Sequence, residues 1–364
     1  MSVSKPSARK YIEESPTNTP PSPKRRRPSS PYPRGLSDSL RNLLESVAYL
    51  APTDPSIAPI QEQARKVLED SDFEAAEELS EEISVLSSLT LQFQEVEGIP
   101  TCVQEIYSRI VAIHFSNCPA MHRLSDRVLC MPRLQSLQID QTAIQKLPFN
   151  IGNLSSLTEL QINRYDFRQL PLNFFRLSRL ITLVLKNGPL QTIDNHLAFV
   201  TSLQKLDLSH SELATFPLLP SRSQLISLNL SYNRIPTWVF PWNTPQLTEL
   251  NLSGNPLKSL PKFVLTNLTA LKAARFCSMQ LAHLSPDISH LRQLETLELS
   301  NNQLKTIPPE IRRLTNLTFL NLAQNQLPQI PNLRELTKLT TLNIAQNPLI
   351  PIPPGCKVIW EASP

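Results

Sequence analysis

The chain has 364 residues, 40% of them hydrophobic and 18% charged, with a formal net charge of +4, a balance that fits one long folded domain or two ordinary ones. No run of eighteen apolar residues occurs, which excludes a transmembrane helix, and the polar start Met1–Lys10 lacks the apolar stretch of an ordinary secretory signal. Glycine numbers only six, against roughly 25 at average usage, and neither GxGxxG nor GxxxxGK[ST] is present, which argues against phosphate-cradling nucleotide folds. Cys102, Cys118, Cys130, Cys277 and Cys356 are scattered without a CxxC pair. That is the pattern of reduced thiols, not of a disulfide framework.

Charge is segregated along the chain. Residues 1–35 carry eight Lys/Arg and two Glu, residues 36–100 three Lys/Arg and fourteen Asp/Glu, so the blocks sum to +6 and −11 and leave +9 for the rest. The first block, with eight prolines, cannot bury enough apolar area to fold and is expected to be a disordered basic leader. Within it, Lys24, Arg25, Arg26 and Arg27 lie between Pro23 and Pro28. This cluster resembles a nuclear localisation signal, which would make an importin a partner; the alternative is a solvated basic run. Ser22-Pro23 beside it has the form of a proline-directed phosphorylation site, and a phosphate there would oppose the cluster's charge.

Residues 36–98 are expected to form an acidic helical cap. Leu40, Leu43, Leu44, Val47 and Leu50 share one helical face behind Ser37 as N-cap. A second helix is predicted near 57–69. A third is predicted from Ser71, with Glu74 completing a capping box and a stripe of Phe73, Ala76, Leu79, Ile83 and Leu86. Gly98 and Pro100 end the helical region. Ile99 to Ile106 reads as half of a repeating unit, set ahead of its first full copy.

From there the sequence repeats. Residues 294–302 (LETLELSNN) and 317–325 (LTFLNLAQN) both fit LxxLxLxxN, and each runs on into xLxxIP. The first apolar position recurs at Ile110, Leu134, Leu157, Leu180, Leu203, Leu225, Leu247, Leu271, Leu294, Leu317 and Leu339, in steps of 22 to 24 residues. By these residues the region 99–360 resembles the leucine-rich repeat family, in its intracellular LPxxIxxL form. It is similar to Ras-group and Scribble-type scaffolds and to effectors that host-associated bacteria secrete. The resemblance implies an α/β solenoid: a curved parallel sheet of about eleven repeats behind an N-terminal helical cap. Positions one, four and six of each unit would point inward. Position nine, ideally Asn, would satisfy the turn backbone. Prolines such as Pro148, Pro171, Pro217, Pro261, Pro308 and Pro331 would mark the return half. Position nine is Asn233, Asn255, Asn302, Asn325 and Asn347 late in the chain, but Cys118, Thr142, Tyr165, Gly188 and Ser211 early, with Met279 a late exception. The N-terminal half should therefore be less regular. Trp238 takes a core slot, Trp242 has none and is a candidate exposed contact, and Trp360 is expected to cover the last repeat.

No catalytic, cofactor or metal constellation emerges. His114, Cys118, His122 and Cys130 lack the paired spacing of zinc ligands, with His114 on the strand face and Cys118 inward. Some bacterial effectors that this chain resembles carry a ubiquitin-ligase domain behind the repeats; with four residues after Trp360, none is expected here. What remains is protein binding on the concave face. Its mixed-charge residues are Glu159, Arg164, Lys186, Lys205, Asp207, His210, Tyr232 and Arg275. The sequence thus points to a non-enzymatic, monomeric interaction module with a protein partner and neither a membrane nor a specific nucleic acid. It is read as a secreted bacterial effector at work in the cytoplasm and nucleus of a host cell. The alternatives are a resident eukaryotic scaffold or regulatory subunit, and the substrate-recognition half of a ubiquitin ligase.

Overall fold

The computed structural model describes residues 38–47, 49–50, 57–70, 75–76, 78–80, 83, 89–94, 99, 101–221, 223–238 and 243–348. The basic leader with Ser22 and Lys24–Arg27, the Ser71/Glu74 capping box, Trp242 and Trp360 all lie outside the described residues.

Among the described residues, twelve strands form one sheet in chain order. They are β1 (Leu89–Gln94), β2 (Ile110–Cys118), β3 (Ser136–Thr142), β4 (Glu159–Asn163), β5 (Thr182–Lys186) and β6 (Lys205–Asp207), followed by β7 (Ser227–Asn229), β8 (Glu249–Asn251), β9 (Ala273–Arg275), β10 (Thr296–Glu298), β11 (Phe319–Asn321) and β12 (Thr341–Asn343). Every neighbouring pair is parallel. Position four of each repeat pairs with position four of the next, as in Leu160 with Leu183 and Leu297 with Leu320. Repeats in such register stack like on like, and their inward leucines merge into one continuous core. Each fully buried leucine is worth about 2 kcal/mol, but only with both neighbouring repeats in place.

The sheet opens one strand earlier than the repeat count implies. β1 lies within the 36–98 segment that was expected to be helical, and it pairs with β2 through Leu91↔Ile113 and Phe93↔Phe115. Leu89, Leu91 and Phe93 are buried in strict alternation. The unit escapes the repeat pattern because its first apolar slot, one repeat length before Ile110, holds Ser88.

The helices cover this first strand. α1 (Asp38–Val47) and α2 (Ile57–Asp70) bury Leu44, Val47, Ile60, Ala64 and Val67, and Ala76, Leu79 and Ile83 of the third predicted helix are buried too. Behind α1 the chain meets the free edge of β1 directly. Leu50 bridges Leu91 antiparallel, and the Gln92 N–H donates to the Tyr49 carbonyl at 2.7 Å. Gln61 Nε2 donates to the Val47 and Leu50 carbonyls, which ties α2 to the same turn. An edge that would otherwise template pairing with another chain is thereby closed.

The return halves are short 3₁₀ turns: Asp126–Cys130, Phe149–Asn153, Leu172–Arg176, Asn195–Phe199, Pro286–His290 and Pro309–Arg313, with one α-helical turn at Lys262–Asn267. Pro148, Pro171, Pro261 and Pro308 each stand as the N-cap of such a segment. Pro217 and Pro331 precede stretches without one.

Position nine carries an asparagine bridge in the later repeats. Asn302 Oδ1 accepts from the N–H groups of Met279 and Leu281, both at 3.0 Å, while its Nδ2 donates to the carbonyls of Phe276 and Leu299. Asn233, Asn255, Asn325 and Asn347 repeat this two-way bridge between their own repeat and the one before. Position eight, just ahead of it, is left-handed in all eleven repeats, from Asn117 (φ 50°) to Gln346 (φ 55°). Only Gly254 among them is a glycine; for the others the conformation costs about 1–2 kcal/mol each. The bridge at position nine offsets that cost in the late repeats.

The early repeats use a different device. Tyr165 occupies position nine and lies over Gly188, position nine of the next repeat: a Cβ on Gly188 would come within 2.4 Å of the Tyr165 ring. The phenol reaches across to Ser211 Oγ, two repeats on, at 3.2 Å. One large side chain thus spans three repeats whose position-nine residues are large, absent and small. Thr142 has no such partner, and its buried hydroxyl is unsatisfied. Burial pushes the Tyr165 hydroxyl up to about 12. The folded state therefore keeps this proton above pH 10, where an unfolded tyrosine loses it. Stability contributed by Tyr165 is complete below pH 10 and falls as pH rises toward 12. An alkaline titration followed at 295 nm should show one tyrosine ionising late, together with loss of ellipticity, and Tyr165→Phe should remove that late step.

Candidate protein-binding face

Alternation along each strand puts positions three and five on the face opposite the core. At β6–β9 the two rows read Lys205, Ser227, Glu249, Ala273 and Asp207, Asn229, Asn251, Arg275, held in register by the strand pairing. Between them lies a depression of about 190 Å³ lined by Lys205, Asp207, Ser227, Asn229, Glu249, Asn251 and Arg275. Arg275 Nε donates to Glu298 Oε1 at 2.9 Å, and Ser227 Oγ donates to Glu249 Oε2 at 2.9 Å. Lys205 is exposed and, among the described residues, in no ion pair.

Part of this polarity is structural. Asp207, Asn229 and Asn251 each accept, through Oδ1, the N–H two residues on, at 2.9 to 3.1 Å. Asn321 and Asn343 do the same. A side chain of Asp or Asn length can close this local ring, and doing so removes the N–H from the ladder. Asn229 and Asn251 both line the depression all the same.

The eight residues singled out from the sequence fall into three groups. Lys205, Asp207 and Arg275 meet at the depression. His210 and Tyr232, both at the left-handed position eight, stack with ring centroids 4.4 Å apart and planes 16° from parallel. Tyr232 remains 52% exposed, and its ring lies over Gly254, where a Cβ would meet it at 2.7 Å. Glu159, Arg164 and Lys186 lie farther toward the N-terminus. Glu159 accepts from Ser136 Oγ and Gln161 Nε2, and the Arg164 N–H donates to the Lys186 carbonyl. Repeat position alone does not single out Glu249, Asn229 and Asn251; their convergence with Arg275 appears only when three strands are laid side by side.

The aromatic and thiol residues also take their places. Trp238 packs on the core, its ring 4.4 Å from Phe216 and its Nε1 donating to the Ser259 carbonyl. Cys118 is buried with its thiol toward the Phe93 carbonyl, whereas His122 and Cys130 are exposed.

Residues 292–335 match the family model described as leucine-rich repeats in two copies, and residues 246–268 the model of a single leucine-rich repeat. No curated protein matches the chain. Among solved structures, a Leptospira interrogans LRR protein is 24% identical, with 78% of this chain aligned to 86% of that one and a TM-score of 0.56. The LRR ectodomain of the Arabidopsis thaliana membrane receptor kinase GASSHO1/SCHENGEN3, in complex with CASPARIAN STRIP INTEGRITY FACTOR 2, is 28% identical with a TM-score of 0.60; 71% of this chain aligns to 33% of that one. The Drosophila Toll–Spatzle complex gives 24% identity and a TM-score of 0.60, over 72% of this chain and 38% of the other. The chain thus spans about a third of the length of the plant receptor ectodomain. Stacked one per strand from Ile110 to Leu339 along an open parallel sheet, the units of this chain are leucine-rich repeats, and the protein is a leucine-rich repeat solenoid.

Proposed function

We propose that the chain is a non-enzymatic binding module that holds a segment of another protein against the strand face of β6–β9. The observation that carries this reading is the depression where Lys205, Glu249, Asn229, Asn251 and Arg275 converge, with the His210–Tyr232 stack three residues beyond the ends of β6 and β7. Half-buried amides and opposite charges two strands apart, about 10 Å, suit an extended polypeptide, whose main chain offers donors and acceptors at similar spacing. An exposed Tyr backed by a stacked ring adds a rigid anchor at little entropic cost. The plant receptor ectodomain, solved in complex with CASPARIAN STRIP INTEGRITY FACTOR 2, supports the same class of role.

Within that role, we place the protein as a bacterial effector in a host cell, on the combined presence of a basic Ser/Pro-rich leader, a helical cap and the repeats. Lys24–Arg27 would serve importin-dependent nuclear entry. Affinity capture from eukaryotic lysate tests the binding face. The full chain is run beside Lys205→Glu/Glu249→Lys and beside Arg164→Glu/Lys186→Glu. The expected result is one protein retained by the parent and the second variant and lost at least tenfold from the first, at unchanged melting temperature. Equal retention by all three would remove the strand face of β6–β9 as the site.

A further inference from the structure

The side opposite the strands carries a patch that the strand-face reading does not use. Phe149, Leu172 and Phe199 expose 66%, 62% and 70% of their surface. Phe149 and Leu172 each follow the N-cap proline of their 3₁₀ segments, one repeat apart, and so stand side by side. Phe199 ends the next segment, at the place Arg176 holds one repeat earlier. His196 links it to Phe175, with ring centroids 5.6 and 6.1 Å apart. The fold does not demand apolar residues here: the matching first places later in the chain hold Lys262 and Pro309, and the last places His290 and Arg313.

The surroundings are basic. Lys146, Arg168, Arg176 and Arg179 flank the patch, all exposed and, among the described residues, in no ion pair. With the strand-face residues Asp140, Glu159, Arg164, Lys186 and Lys205 set aside, residues 121–205 hold seven Lys/Arg against three Asp/Glu. Asp194, the acid nearest Phe199 in sequence, is occupied by the backbone N–H and ring of His196, which hold its carboxyl below the usual range.

We infer that this return-side patch binds an acidic amphipathic helix of a partner protein. Three of the four cations are arginines, whose planar fork matches carboxylates in pairs and which are enriched at protein interfaces. Neighbouring repeats lie about 5 Å apart and a 3₁₀ segment rises about 2 Å per residue, so Phe149 to Phe199 spans on the order of 13 Å. A helix with apolar residues at i, i+4 and i+7 presents anchors over about 10.5 Å of its axis. Its side chains reach the remaining distance, and its acidic flank faces Arg168, Arg176 and Arg179.

The test is selection of random sixteen-residue peptides displayed on phage against the full chain at low salt. The expected winners are acidic, with apolar residues at helical spacing. A synthetic copy of the leading clone should lose at least tenfold in affinity against Phe149→Ser/Phe199→Ser and against Arg168→Glu/Arg176→Glu. It should be indifferent to Ile181→Ser/Ile226→Ser, which removes exposed apolar side chains elsewhere. Melting curves matching the parent keep folding out of the comparison. Winners without acidic bias, or winners indifferent to the patch variants, would overturn the inference. So would patch-dependent binding to phosphatidylserine vesicles that the peptide cannot displace, because the surface would then face lipid.

Discussion

Gly152→Ala is expected to destabilise the early repeats by about 3 kcal/mol or more, the upper range for overpacking a tight interior. A Cβ at Gly152 would lie 1.9 Å from the Asn173 carbonyl oxygen and 2.9 Å from its carbon. The obstacle is main chain of the next return segment, so no rotamer change relieves it. The two segments must separate by more than 1 Å, and the buried Ile151, Phe174 and Phe175 separate with them. Because each repeat is stabilised by its neighbours, the damage should be local. Hydrogen exchange should rise across residues 136–176 well before it rises across 294–348. Uniform protection loss, or a parent-like denaturation midpoint, would mean that the segments are not held this closely.

The second large effect is expected at Asn302. Asn302→Ala leaves the N–H groups of Met279 and Leu281 and the carbonyls of Phe276 and Leu299 without the partner they share. Abandoned buried backbone groups cost about 1–3 kcal/mol each where water cannot replace the partner, so a loss of about 3 kcal/mol is expected in urea denaturation. Asn302→Asp should not rescue it. A carboxylate still accepts from the two N–H groups, but it sets negative charge against two carbonyl oxygens and offers them no donor. What sets this asparagine apart is repeat eight, whose position nine is the buried Met279: Asn302 accepts the Met279 N–H as well as that of Leu281, where the other asparagines accept one. Asn347→Ala, with a single accepted N–H at the half-buried end, should cost distinctly less. Equal losses at both sites would show that the ladder acts by side-chain volume alone.

The candidate face was legible only in outline. Position in the repeat told which side chains leave the core, so Lys205, Asp207 and Arg275 were assigned to the strand face and found there. What the spacing did not reveal is which polar groups the fold consumes. Asp207 gives one oxygen to the Ser209 N–H, and Arg275 is half committed to Glu298. Glu249, which no motif marks, stands exposed at the depression. The return-side apolar residues escaped notice for a related reason. Phe149 and Leu172 come after prolines in the same pattern as Lys262 and Pro309, and exposure depends on how far the next repeat covers each one.

By itself the sequence determined the repeat, its period and its inward face, because a unit of 22 to 24 residues with leucines at positions one, four and six has one way to bury them: against copies of itself. It likewise announced the asparagine bridges, since a buried turn must find partners for its backbone. Only the tertiary structure decided the extra strand β1, whose unit begins with Ser88 and joins the sheet because β2 offers an open edge. Only the structure showed the left-handed residue in every repeat, which glycine marks just once. The same holds for Tyr165 lying over Gly188 to reach Ser211. These three depend on what stands one or two repeats away, and distance along the chain does not record that.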